Sequence, residues 1–199
     1  QGTTIDFSNI HYNTNRYNLL GGSVLFKRNS LNSIQYATQG ISQHILAQIF
    51  TGYNSYMPYG TSTDSHTREP ISWLQFSFKD QHYIPLKDKV ILGTYLEGYY
   101  SSRNFAQTYT ATMMQAGTFA PTPSTLFSYN PTYRANQYIA AGIKPIYMLK
   151  SYLQLRLEAY AFLPIRPILQ NSEGEAYYGA PFSTMSHIEE LSIVGRFST

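Results

Sequence analysis

The stretch Tyr152–Pro164, YLQLRLEAYAFLP, decides how this chain is read. Every second residue belongs to one of two sets: Leu153, Leu155, Leu157, Ala159, Ala161 and Leu163, or Tyr152, Gln154, Arg156, Glu158, Tyr160 and Phe162. A β-strand sends successive side chains to opposite faces, so the stretch predicts a strand with one apolar and one polar face. The same alternation runs through the chain. Leu20–Arg28 sets Gly22, Val24 and Phe26 against Ser23 and Lys27, and Ile41–Tyr53 sets Ile41, Ile45, Ala47 and Ile49 against Ser42, His44 and Gln48. In Ile71–Tyr83, Leu74, Phe76 and Phe78 oppose Gln75, Ser77, Lys79 and Gln81; in Val90–Tyr100, Val90, Leu92, Leu96 and Tyr100 oppose Gly93, Tyr95 and Glu97. Tyr133–Leu149 sets Ala135, Ile139, Ala141 and Ile143 against Arg134, Asn136 and Lys144, and Thr184–Phe197 sets Leu191, Ile193 and Phe197 against Glu190, Ser192 and Arg196. The helical pattern of apolar residues three and four apart is hard to find. Seven strands in an all-β, antiparallel domain are expected.

The connections alternate in length. Pro85–Asp88 and Lys150–Ser151 read as tight turns joining antiparallel neighbours, whereas 54–70, 101–132 and 165–183 are long and rich in Tyr, Thr, Ser, Asn, Gly and Pro. Long loops at one end and short turns at the other is the plan of an outer-membrane β-barrel. No repeat, linker or low-complexity tract divides the chain, so residues 1–199 are expected to form one barrel domain or a seven-strand part of one.

Composition narrows the classes. Aromatic residues make up 16% of the 199, with 19 Tyr and 11 Phe, while charged residues make up only 13%. That is about half the share usual in soluble domains, roughly 25%. A net charge of +3, dispersed along the chain, gives no nucleic-acid surface. There are no cysteines, so disulfides and thiolate metal sites are excluded. No apolar run approaches the ~18 to 20 residues of a spanning helix. Gln1–Ile10 lacks the basic start and apolar run of a signal peptide and reads as the start of a mature protein or of an internal cut.

Alternation by itself does not say which face meets water. A soluble barrel or sandwich is apolar inside; a transmembrane barrel is apolar outside, toward lipid, and polar within. Three features favour the second arrangement. Stretches such as Ile71–Tyr83 outrun the ~5 to 6 residues of ordinary strands and cover the ~9 to 11 needed to cross a bilayer. The polar faces carry one or two charges each among Gln, Ser, Tyr and Asn, as a crowded wet lumen would. Aromatic residues gather near strand ends, at Tyr53, Tyr99, Tyr100, Tyr133, Tyr147, Tyr152 and Phe197, where a headgroup girdle would place them. A soluble, ligand-binding β-protein is the alternative.

Three segments carry a resemblance. Arg28–Gly40, RNSLNSIQYATQG, resembles the strand, periplasmic turn and strand of BamA-like surface-antigen barrels, with Asn32 at an acidic position and Ala37-Thr38-Gln39-Gly40 in place of Pro-Thr-x-Gly. The glycine is intelligible without the family, since a turn feeding a strand often needs positive φ. In Thr125–Gly142, Tyr133-Arg134-Ala135-Asn136 lies where that superfamily carries an Arg-Gly-aromatic motif on a loop folded into the lumen; the glycine is Ala135 and the aromatic is absent at Asn136. The Asp that would lock Arg134 is missing around Phe162–Ile165. Taken together, Arg28–Gly40, Tyr100–Pro123 and Tyr133–Met148 resemble, from about Leu20 onward, the C-terminal outer-membrane barrel of patatin-like phospholipases. The resemblance implies an N-terminal lipid acyl hydrolase domain with a Ser-Asp dyad in the parent protein and a further closing hairpin after Thr199. It also implies a Gram-negative outer-membrane location. The expected role is to anchor that domain, with translocation or display as further roles open to it. A BamA-class protein-insertion or secretion barrel is the rival within the superfamily.

No enzyme is expected in this chain. The Gly-x-Ser-x-Gly turn of an acyl hydrolase is absent, and Gly21-Gly22-Ser23, the nearest approach, opens a strand rather than a helix. His11, His44, His66, His82 and His187 have no metal-ligand spacing, no phosphate-cradling loop occurs, and Glu189 and Glu190 would point to opposite faces. No cofactor or metal is called for. The expected partners are membrane lipid, the patatin-like domain and a second chain able to close the barrel. Arg134, Lys144, Arg156, Glu158, Glu190 and Arg196 are expected to form a polar network in the lumen, Arg156 pairing with Glu158 two residues away. Tyr133–Tyr138 is the segment expected to plug it. Arg28, Asn32, Thr38 and Gly40 are expected to build the periplasmic turn.

Overall fold

A computed structural model of the chain describes residues 14–57 and 67–195. Strands β1 (Thr14–Asn29), β2 (Gly40–Met57), β3 (Thr67–Lys87) and β4 (Val90–Ser101) come first. The long connection that follows holds helix α1 (Tyr109–Gln115), strand β5 (Gly117–Thr118), helix α2 (Pro123–Leu126), a 3-10 turn over Pro131–Tyr133 and strand β6 (Arg134–Ala135). The wall resumes with β7 (Gln137–Lys150) and β8 (Leu153–Pro164); a ribbon of β9 (Ile168–Gln170) and β10 (Ala176–Tyr178) precedes β11 (Ser186–Gly195). Seven strands form one sheet in the order β1-β2-β3-β4-β7-β8-β11, antiparallel throughout. All seven expected strands are present, each overlapping the stretch that predicts it. Among the described residues β1 and β11 have a neighbour on one side only, so the sheet is open.

The sheet curls with its polar face inward. On β8, Gln154, Arg156, Glu158, Tyr160 and Phe162 are buried, while Leu157 and Ala161 on the other face are exposed. Register carries this arrangement across the wall. Leu157 stands opposite Leu191 and Leu155 opposite Ile193, and the two β11 side chains are 68% and 69% exposed. Val24, Ile49, Phe76, Leu96 and Ile143 continue the exposed apolar surface to β1, strand by strand. The curl is strong enough for the turn after β1 to reach β8, where Arg156 Nη1 donates to the carbonyl of Ala37 at 3.1 Å.

The 102–136 connection lies in the concavity and touches both edge strands. Gln115 Nε2 donates to the hydroxyl of Tyr17 on β1 at 3.1 Å, and Ser124 Oγ donates to Glu190 on β11 at 2.8 Å. Its two helices were not legible as amphipathic periods because each is a few residues long and started by a local cap. The Thr108 side chain accepts from the amide of Ala111, and Thr122 and Thr125 form a reciprocal capping box ahead of α2.

Several sequence expectations change here. Tyr133–Asn136 does not belong to the wall: Asn130 and Pro131 start a 3-10 turn that interrupts the alternation, and β7 begins at Gln137. Ala135, expected on the lipid-type face, is fully buried in the interior. Tyr99 and Tyr133 leave the expected girdle, Tyr99 stacking on Tyr138 and Tyr133 packing against Phe119. Tyr53, Tyr100, Tyr147 and Tyr152 are exposed near strand ends as expected. Arg196 and Phe197, together with His11 and His66, lie outside the described residues.

Candidate functional site

The concave face is built from strand residues of one parity, and register sets which of them meet. Lys79 on β3 stands directly opposite Glu97 on β4, with Nζ 3.4 Å from Oε2. On β8, Arg156 and Glu158 are two apart and share the inner face, so Nε of Arg156 reaches Oε1 of Glu158 at 3.4 Å. Lys144 projects from the adjoining β7 to 3.8 Å from the same carboxylate. Buried charge is tolerable only when paired and further hydrogen-bonded, and tyrosine supplies the remaining donors. Tyr95 and Tyr138 both donate to Glu97, the latter at 2.9 Å, and Tyr160 donates to Glu158. Arg156, 1% exposed, also donates to Gln154 Oε1 at 3.2 Å.

Glu97 and Glu158 thus each have a cation beside them and a tyrosine two residues along their own strand. Glu97 and its tyrosine partners belong to no sequence-expected network, although Tyr95-Leu96-Glu97 and Glu158-Ala159-Tyr160 carry the signal: glutamate and tyrosine two apart on a strand share a face. Lys144 Nζ also lies 5.3 Å and 5.4 Å from the ring centres of Tyr95 and Tyr160, within cation–π range.

Arg134 does something else. Its Nη1 donates to the carbonyls of Met113, Met114 and Ala116, at 3.1, 3.4 and 3.4 Å. These lie at the C-terminal end of α1, where carbonyls lack intrahelical partners and the helix dipole favours a cation. Arg134 therefore braces the connection internally and does not join the Lys144–Glu158–Arg156 cluster. Glu190 faces inward opposite Glu158 but is engaged by Ser124.

Phe119 holds the connection in the concavity. It is 1% exposed and its ring centre lies within 6.4 Å of those of Tyr95, Tyr133, Tyr138, Tyr160 and Phe162. Nothing in the local pattern singled it out, because it sits alone in a loop of Thr, Ala and Pro. Within the segment expected to fill the interior, Ala135 and Asn136 are buried and Tyr138 is a wall residue beneath the loop; the filling element is the whole of 102–136. Asn136 Nδ2 donates to the hydroxyl of Tyr178 at 3.0 Å, joining the loop to β10.

The opposite end is closed by the turn 30–39. Asn32 organises it. Its Nδ2 donates to Thr38 Oγ1 at 2.8 Å, and its Oδ1 accepts from the amides of Thr38 and Gln39 at 3.0 and 3.3 Å. Gly40 has φ +102°, and a Cβ there would sit 2.2 Å from the carbonyl oxygen of Ser30, so no other residue fits. Arg28 lies at the end of β1 opposite Gln43 and takes no part in these bonds. Between this turn and α2 a cavity of about 320 Å³ remains, with Lys144, Arg156 and Glu158 at its base.

Among the described residues no group of three His, Asp or Glu is placed to hold a metal ion. Comparison with family models, with curated proteins and with solved structures finds no match.

Proposed function

We propose that this chain forms wall and plug of an outer-membrane β-barrel and anchors a larger protein in that membrane. The observation that carries the reading is the direction of burial: Arg156 is 1% exposed while Ile193 is 69% exposed. Soluble monomers rarely expose contiguous apolar patches beyond a few hundred Å². Here such a surface runs over all seven strands, with the charged and tyrosine-bonded groups behind it. Lipid is the environment that makes this favourable, and it requires the sheet to close, because no backbone donor or acceptor can stay unpaired in hydrocarbon. On the resemblance of Arg28–Gly40, Tyr100–Pro123 and Tyr133–Met148 to patatin-associated barrels, the anchored cargo is a patatin-like lipid acyl hydrolase preceding the barrel. The loop 102–136, held by Phe119 and Arg134, keeps the interior filled.

The absence of cysteine allows clean single-cysteine labelling. A fluorophore at Leu157→Cys or Ile193→Cys, in protein reconstituted into vesicles, is expected to be quenched by nitroxide on lipid acyl chains. One at Gln154→Cys or Val194→Cys is not. Equal quenching at both sets, or a folded monomer in detergent-free buffer, would refute the proposal. The codons upstream of this segment test the cargo separately: periplasmic repeat domains there in place of a hydrolase would remove it.

A further inference from the structure

At the long-loop end of the concavity, a row of inward side chains runs across three strands: Tyr17 on β1 stands opposite Asn54 on β2, which stands opposite Glu69 on β3. The plug covers this row through Arg103 and Gln115, enclosing a cavity of about 170 Å³. By the ~30 Å³ share of one water in the liquid, that is room for roughly five or six water-sized groups.

Three polar groups here lack partners among the described residues. The Arg103 guanidinium lies 4.5 Å from the ring of Trp73 and 5.3 Å from that of Tyr17, and makes no hydrogen bond or ion pair. Its backbone is pinned at both ends, the amide donating to Ser101 Oγ at 3.3 Å and the carbonyl accepting from Asn136 Nδ2 at 3.4 Å. A planar five-donor fork is thereby held in place with no acceptor for its hydrogens among the described residues. The Asn54 amide has no hydrogen bond, and its Oδ1 is buried without a partner. Glu69 is exposed and forms no ion pair, although it lines the same cavity as Arg103. Tyr17 is already positioned by Gln115.

A fork of donors at one side, a free carboxylate at the other and an unbonded amide between them complement a small zwitterion. The geometry points to a binding site for a compact ligand carrying a phosphate and a primary ammonium, the phosphate on Arg103, the ammonium on Glu69 and the Oδ1 of Asn54. Arginine matches the two oxygens of a phosphate with parallel N–H bonds, and a carboxylate accepts from an ammonium. Either charge alone would leave the opposite protein charge unmatched in the same cavity. Free phosphoethanolamine and the headgroup of phosphatidylethanolamine share this chemistry.

The single tryptophan of the chain, Trp73, lies against Arg103 and reports directly on the site. The detergent-solubilised full chain is titrated with O-phosphoethanolamine and, separately, with inorganic phosphate, by calorimetry and Trp73 emission. Phosphoethanolamine is expected to bind at least about tenfold more tightly, the scale of one charge-assisted hydrogen bond. Arg103→Gln is expected to weaken both about tenfold or more. Glu69→Gln, on an exposed side chain that the fold does not need, is expected to abolish the preference while leaving phosphate affinity unchanged. Nanodiscs of phosphatidylethanolamine against phosphatidylglycerol separate the sources: a Trp73 response specific to the first assigns the lipid headgroup, and a response to the free compound alone assigns the soluble one. No binding in either form at millimolar ligand, equal affinity for the two compounds, or an Arg103→Gln chain that binds unchanged would overturn the site.

Discussion

Replacing Phe119 by alanine should release the plug from the wall while leaving the wall folded. Phe119 is 1% exposed and meets five aromatic rings in stacked or edge-on contacts, four on the wall residues Tyr95, Tyr138, Tyr160 and Phe162 and the fifth on Tyr133 of the loop itself. Truncating a buried Phe costs about 3–5 kcal/mol. The seven wall strands keep every ladder hydrogen bond, so this loss falls on the docking equilibrium of 102–136. At 1.4 kcal/mol per factor of ten, about 4 kcal/mol raises the undocked population roughly a thousandfold. Hydrogen exchange in detergent micelles reads this directly. The amide of Phe119 donates to the carbonyl of Tyr133 at 2.9 Å and that of Ser101 to Asn136 at 2.7 Å. Both should exchange far faster in Phe119→Ala, while amides in the middle of β4, β7 and β8 keep their protection. Phe127→Ala is the control: it lies on the same loop but is 93% exposed, and should change exchange by a factor equivalent to no more than about 0.5 kcal/mol. Equal effects of the two substitutions, or loss of protection throughout the wall, would refute the account of Phe119 as the docking residue.

Arg156→Met should destabilise the wall by about 3–5 kcal/mol, because Glu158 is left buried with one fewer partner, and Arg156→Met with Glu158→Leu should recover much of that loss; denaturant unfolding of the three chains checks the order. Asn32→Ala removes three hydrogen bonds from the closing turn and should lower stability by about 1–3 kcal/mol, with faster exchange at the Thr38 and Gln39 amides as its local signature. Gly142→Ala places a Cβ 2.3 Å from the Tyr160 ring and 2.9 Å from the carbonyl oxygen of Ala159, so a loss of about 1–3 kcal/mol is expected, and Tyr160→Leu should partly relieve it in the double variant. Ile193→Arg, on the exposed apolar face, should cost up to about 2–4 kcal/mol in a bilayer if the residue lies near the midplane, measured by unfolding from vesicles; a neutral or stabilising result would count against lipid at that face.

Period-two alternation was enough to locate the seven strands, though not their ends, and to divide each into two chemically distinct sides, because a strand's geometry writes that division into consecutive residues. The Arg156–Glu158 pairing was legible for the same reason, and the glycine at position 40 for a different one, the positive φ of a turn that feeds a strand. Alternation is symmetric, however. It says that Leu157 and Arg156 part company, and not which of them the sheet bends around. The curl and the loop 102–136 decide that, through contacts such as Ala37 with Arg156, 119 residues apart, that no local window contains. Separation in sequence likewise hid Lys79 and Tyr138 as partners of Glu97, set by β3–β4 and β4–β7 register, while a local Asn-Pro turn that breaks the alternation removes Ala135 from the wall. Arg134 drew notice through the likeness of Tyr133–Asn136 to a lumen-loop motif and as one of the polar set, yet its partners are the unpaired carbonyls of a helix seven residues long, too short to leave a period. What a strand presents is local chemistry; what it faces is settled only when distant segments close around it.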